Sequence, residues 1–86
     1  MRLPIIKQLV RFINEKDEDF IHETIETLEE LSLNETLKDE ELDVLGELIS
    51  NLHGAIAVSE SIGNGVSERE ALNGFMKRVM GSIDKN

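Results

Sequence analysis

Histidines are the side chains of this chain with the widest chemical range, because imidazole binds metals and moves protons near neutral pH. His22 and Glu26 are four residues apart, so on a helix they share a face from which both could bind a metal ion. The surrounding sequence lacks both the His-Glu-x-x-His spacing of zinc hydrolases and the paired Glu-x-x-His of di-iron bundles. We therefore predict no metal site, with His22 and Glu26 as weak candidates.

The second histidine, His53, lies in a very apolar stretch, where we expect a core or interface histidine bonded to a backbone carbonyl. No serine, cysteine or acid is placed to form an obvious catalytic triad with it. Gly63-Asn64-Gly65 lacks the later glycine and the preceding strand of a phosphate-binding loop. We accordingly predict no catalytic residue, no cofactor and a non-catalytic protein.

Length and composition favour a single helical domain over residues 1–86 that is completed by self-association. A domain this small buries only about 60% of the surface of its unfolded chain, so its core is thin. The chain has no cysteine, which excludes disulfides and leaves tight helix packing or oligomerisation as reinforcement. It also lacks an apolar run long enough for a membrane span, and Lys7, Gln8 and Arg11 interrupt the apolar start that a signal peptide needs. We therefore expect a cytoplasmic protein.

The net charge of −9 is concentrated in the middle of the chain. Residues 15–47 carry fourteen acids and only two bases, whereas residues 1–14 carry three bases and no acid. Such an acidic centre disfavours binding to phosphate backbones, and the absence of Tyr and Trp removes stacking platforms for single strands. We predict no nucleic-acid partner. The acidic face is either a solvated helix surface or a docking patch for a basic protein.

Periodicity and end signals predict an all-α bundle of four helices at residues 4–14, 18–32, 38–62 and 67–81. Pro4 suits a first helical turn, and Gly63-Asn64-Gly65 ends the long third helix. Capping boxes are predicted at Thr36–Asp39 and at Ser67–Glu70. The second helix should turn five apolar side chains inward, namely Phe20, Ile21, Ile25, Leu28 and Leu31.

The third helix should lie at the centre of the bundle, because residues 52–58 are apolar or small almost all the way round. Gly46, Ser50 and Gly54 are four residues apart and form a small-residue row on this helix. Each interior glycine costs roughly 1 kcal/mol relative to alanine, which close approach of another backbone would compensate. The alternative is two tolerated glycines on an exposed face.

The first helix has an apolar arc of roughly 160°, wide for a helix with a single neighbour. We therefore predict a homodimer or higher oligomer that pairs through the first and third helices. The predicted interface residues are Ile5, Leu9, Phe12, Gly46, Ser50, His53, Gly54 and Ala57.

The long helix, the glycine turn and the segment Gly65–Leu72 resemble the alkylhydroperoxidase-D-like (carboxymuconolactone decarboxylase) helical domain over residues 45–79. The resemblance implies an all-helical, oligomeric protein. Redox members of that family carry Cys-x-x-Cys and a following histidine, whose places fall near Ser50, His53 and Ala57. None matches, so no catalytic residue carries over, and the alternative function is a small enzyme or metal-binding subunit that has lost the cysteine site. The whole chain also resembles an uncharacterised group of small helical bacterial proteins.

Overall fold

Four helices and no strand make up the computed structural model, which describes residues 2–84, with side chains through residue 79. They are α1 (Leu3–Glu15), α2 (Asp19–Leu31), α3 (Asp39–Gly63) and α4 (Glu68–Asp84). The predicted all-α fold is confirmed, and only the end of α4 differs from the predicted boundaries by more than one residue. Within the described residues, no helix combines the length and apolarity needed to cross a bilayer.

The long helix α3 is the centre of the bundle, as predicted, because α1, α2 and α4 all pack against it. Its buried residues all lie in its second half: Asn51, Leu52, Gly54, Ala55 and Val58. The first half of α3 is mostly exposed. The central role predicted from residues 52–58 therefore belongs to one half of the helix only.

The core is aliphatic apart from Phe75, and one side of each neighbouring helix completes it. Burial of one side chain of the size of Val, Ile or Leu typically stabilises a fold by about 1.5–3 kcal/mol. The outer helices contribute Ile6, Val10 and Ile13 from α1, Ile21 and Ile25 from α2, and Ala71, Leu72 and Phe75 from α4.

One buried polar side chain, Asn51, joins the start of α1 to α3. Its Oδ1 accepts a hydrogen bond from the Arg2 backbone N–H at 3.1 Å. Its Nδ2 donates to the Glu47 carbonyl at 2.9 Å. Because a buried polar group costs free energy unless it is paired, both halves of this amide are accounted for.

The prediction that α2 turns five apolar residues inward is wrong for Phe20 and Leu31, which are 52% and 46% exposed. Only Ile21, Ile25 and Leu28 face the core, because α3 covers just part of the apolar arc of α2. The Phe20 ring instead packs edge-on against Phe12, with ring centroids 5.7 Å apart.

The start of α4 shows one of the two bonds of its predicted capping box, since the Glu70 N–H donates to Ser67 Oγ at 3.2 Å. The Ser67 hydroxyl in turn donates to Glu70 Oε1 at 3.0 Å. The turn before α4 needs a glycine, because Gly65 has φ +98°. The N–H groups of Gly65 and Val66 donate to carbonyls of the last turn of α3, which is a Schellman ending.

The predicted capping box at Thr36–Asp39 is wrong, because α3 begins at Asp39, two residues later than that box requires. The residue before α3 is Lys38, whose N–H donates to Glu41 Oε1 at 2.9 Å. The Thr36 N–H and hydroxyl are used locally and both donate to Asn34 Oδ1, at 2.9 and 2.6 Å.

The bundle is flat, with principal extents of 43 × 37 × 17 Å. Its radius of gyration of 14.0 Å exceeds the roughly 12 Å of a compact domain of this length. Its accessible surface is 6294 Å², whereas a monomer of 9.7 kDa typically exposes about 5,100 Å². The fold therefore leaves about 1,200 Å² more surface than its mass requires.

Candidate interaction surfaces

The histidine of α2 lies on an exposed surface and pairs with a residue that the sequence analysis did not single out. His22 Nε2 is 2.9 Å from Glu18 Oε2, one turn before it, and no bond joins His22 to Glu26 among the described residues. Nowhere in residues 2–84 do three His, Cys, Asp or Glu side chains converge in a way that could hold a metal ion.

The outward face of α3 carries four of the predicted interface residues: Gly46, Ser50, His53 and Ala57. The apolar residues Leu42, Ile49 and Ile56 complete this face. We call Leu42, Gly46, Ile49, His53 and Ile56 the α3 seam; their alternating spacing of four and three is that of a coiled-coil contact. All five are exposed or half-buried in the chain, and none is an acid or a base with a permanent charge.

The two α3 glycines of the small-residue row have opposite surroundings. A Cβ built on Gly54 would lie 3.0 Å from Phe75 Cζ and 3.2 Å from Ile6 Cδ1. A Cβ on Gly46 would meet nothing within 4 Å. Each four-residue step turns the row by about 40° beyond a full circle, so the row passes from open surface at Gly46 to the core at Gly54.

His53 is exposed, so the expectation of a core histidine is wrong, while an interface role for it stays a prediction. The places that the alkylhydroperoxidase-D-like resemblance points to are occupied by this exposed imidazole and by the half-buried Ser50 and Ala57. They supply no thiol, so they cannot perform the cysteine chemistry of that family.

The predicted interface residues of α1 lie beside its buried side, not on it. Ile5 and Leu9 are half-buried, and Phe12 is exposed where it contacts Phe20 of α2. These three residues continue the apolar surface from α1 onto α2.

A row without charges runs along the exposed side of α2 through Phe20, Thr24, Thr27 and Leu31. The Thr24 hydroxyl donates to the Phe20 carbonyl at 2.6 Å, and the Thr27 hydroxyl donates to the Glu23 carbonyl at 2.9 Å. Because both hydroxyls are satisfied by their own helix, the threonines can present their methyl groups to a partner without leaving a polar group unpaired.

This row ends at an apolar groove between the end of α2 and the first half of α3. The groove has a volume of about 410 Å³, within the range of binding pockets. We call it the leucine groove; it is lined by Leu31, Leu37, Val44 and Leu45, with Glu40 and Glu41 at its edge. The sequence analysis missed it because Leu31 was assigned to the core.

A larger open cleft of about 710 Å³ lies between α1 and α4. Its charged side chains are Lys7, Glu68 and Arg69, which are all exposed and of mixed sign. The charges of the cleft therefore favour neither an anionic nor a cationic ligand.

The chain matches a family of unknown function (DUF6952) over residues 1–84. No curated protein and no solved structure matches it. The similarity to the alkylhydroperoxidase-D-like domain is not part of this match and stays a prediction.

Proposed function

Because the chain belongs to this family of unknown function, we propose a role from its surfaces: a non-catalytic cytoplasmic protein that self-associates and serves as a protein-interaction module. The simplest assembly is a two-fold homodimer, in which each copy contributes the same patch. The patch that we assign to it is the α3 seam.

The observation that carries the proposal is the open space at Gly46. A glycine inside a helix costs roughly 1 kcal/mol relative to alanine. Apart from its own helical backbone, nothing in the described part of the chain lies within 4 Å of a Cβ at Gly46, so packing within the chain does not require a glycine there. Gly74 is equally open, but of the two only Gly46 lies on the α3 seam. A second α3 lying close against the seam would fill the space.

The surface area of the chain also supports self-association. Its excess of about 1,200 Å² over a typical monomer exceeds the roughly 800 Å² that each partner contributes to a standard interface. One two-fold contact of standard size would therefore cover about two thirds of the excess.

An antiparallel arrangement of the two α3 helices fits the charges better than a parallel one. The first turn of α3 holds Asp39, Glu40 and Glu41. A parallel pair would bring these acidic turns together, whereas an antiparallel pair separates them and aligns opposite ends of the two helix dipoles.

The test compares two glycines that are equally open. A Cβ on Gly74 of α4, like one on Gly46, would meet nothing within 4 Å. We expect light scattering at micromolar concentration to give a dimer mass for the wild type and for Gly74→Glu. We expect a monomer mass for Gly46→Glu, because this change adds bulk and charge to the seam of both copies.

A monomer mass for the wild type would refute self-association. A dimer mass for Gly46→Glu would show that the interface does not lie at the α3 seam. Circular dichroism of both variants provides the control, since both chains should remain helical.

The alternative function, an alkylhydroperoxidase-D-like small enzyme or metal-binding subunit, rests only on the resemblance of residues 45–79. Elemental analysis separates the two proposals: a stoichiometric metal in the purified protein would favour the alternative.

A further inference from the structure

The leucine groove is apolar surface that the rest of the chain leaves uncovered. Leu31 and Val44 on its walls are 46% and 56% exposed, and Leu33 in the adjoining loop is 72% exposed. Side chains of this kind are normally buried. Apolar residues grouped in a concave site, unlike isolated ones, mark binding surfaces.

The groove is set in an acidic part of the molecule. Residues 29–47 contain eight acids and a single base, Lys38. Among the described side chains, the one contact between a basic and an acidic group at ion-pair distance is that of His22 with Glu18, so these eight acids form no ion pair there. Glu40 and Glu41 lie at the edge of the groove itself.

This charge argues against a second copy of the chain as the occupant. Two copies that met groove to groove would bring their acidic segments together, and like charges across an interface are costly. The α3 seam, by contrast, has no acid at its five positions, so the groove and the seam are suited to different partners.

We infer that the leucine groove docks an amphipathic helix of another protein, with apolar side chains on one face and lysine or arginine beside them. The apolar face would fill the groove, as in other helix-in-groove complexes, and the basic side chains would meet Glu40, Glu41 and their acidic neighbours. This inference rests on the interaction role proposed above and names its partner class.

The experiment uses a synthetic amphipathic helix of leucine and lysine, about 18 residues long so that it can form a stable helix. A second peptide has the same composition with its leucines scattered round the helix, and a third has glutamate for lysine. Binding is measured by titration calorimetry on the full chain carrying Gly46→Glu, so that self-association does not compete.

A matched pair of valines tests the location. Val44 lines the groove, and Val66 is an exposed valine in the turn between α3 and α4. We expect the amphipathic basic peptide to bind, with Val44→Gln weakening it about tenfold, the loss typical of a central apolar contact. Val66→Gln should leave its affinity unchanged, and methyl NMR shifts should be confined to the groove.

Four results would overturn the inference. Equal effects of Val44→Gln and Val66→Gln would place binding elsewhere. Equal binding of the scattered peptide would mean attraction to acidic surface alone, and equal binding of the glutamate peptide would remove the charge argument. Loss of the wild-type dimer mass on Val44→Gln would identify a second copy as the occupant. The three peptide results do not depend on whether the wild type is a dimer, so the two proposals fail separately.

Discussion

Gly54 lies where three helices meet, and its substitution tests the packing of the core. Phe75 Cζ of α4 and Ile6 Cδ1 of α1 would lie 3.0 and 3.2 Å from an added Cβ. A leucine would have to displace both side chains, so we expect Gly54→Leu to lower the free energy of unfolding by about 1–3 kcal/mol. Urea unfolding measures this effect.

The control for Gly54→Leu is Gly74→Leu, since Gly74 also lies inside a helix but faces open space. It should instead gain up to about 1 kcal/mol from better helix propensity. The loss at Gly54 should persist in the Gly46→Glu background, because its contacts lie within one chain. Stabilisation by Gly54→Leu would contradict the packing described for this position.

At the scale of the helices, we expect the first residues of the two predicted capping boxes to contribute differently to stability. Ser67 accepts the Glu70 N–H at the start of α4, so Ser67→Ala should lower the stability by about 1 kcal/mol. Thr36 bonds only within its own loop, to Asn34, so Thr36→Ala should cost clearly less. Thermal unfolding of the two variants compares them directly, and an equal or larger loss at Thr36 would contradict the observed start of α3.

The start of α1, the end of α3 and the start of α4 could be predicted from the sequence because local chemistry determines them, whereas the cap of α3 could not. Three residues lie at the helix ends that their types favour. Pro4 is in the first turn of α1, Ser67 caps the start of α4, and Gly65 adopts the positive φ that ends α3. The division of each apolar arc between core and surface could not be predicted in this way. Periodicity shows that Phe20 and Leu31 lie on an apolar side of α2, but only the position of α3 shows that they are left uncovered.

For the candidate surfaces, too, the sequence predicted which residues share a helix face but not which of them are exposed. Gly46, Ser50 and Gly54 were placed in one row because their spacing is helical, yet the row turns with the helix, so only Gly54 reaches the core. The leucine groove needed the fold, since it joins Leu31 of α2 to Val44 of α3 across a loop.

For the molecule as a whole, the proposed dimer links thermal stability to protein concentration. Association that involves only folded chains stabilises them by mass action. We therefore expect the Tm of the wild type to rise with protein concentration, and that of Gly46→Glu to be independent of it. Differential scanning calorimetry over a wide concentration range provides the test, and a constant wild-type Tm would argue against a dimer of folded chains.

The dependence of every helix on α3 has a consequence for the order of assembly. The helices α2 and α4 are joined to α3 by short connections, residues 32–38 and 64–67, so their contacts close small loops. The contact of α1 with α3 spans much more chain, since Arg2 and Asn51 are 49 residues apart. Loop-closure entropy grows with loop length, and contacts between distant parts of the chain form slowly. We therefore expect α1 to dock last, onto the already packed helices α2, α3 and α4. The hydrogen bond from the Arg2 N–H to Asn51 would then form late in folding and hold α1 against α3.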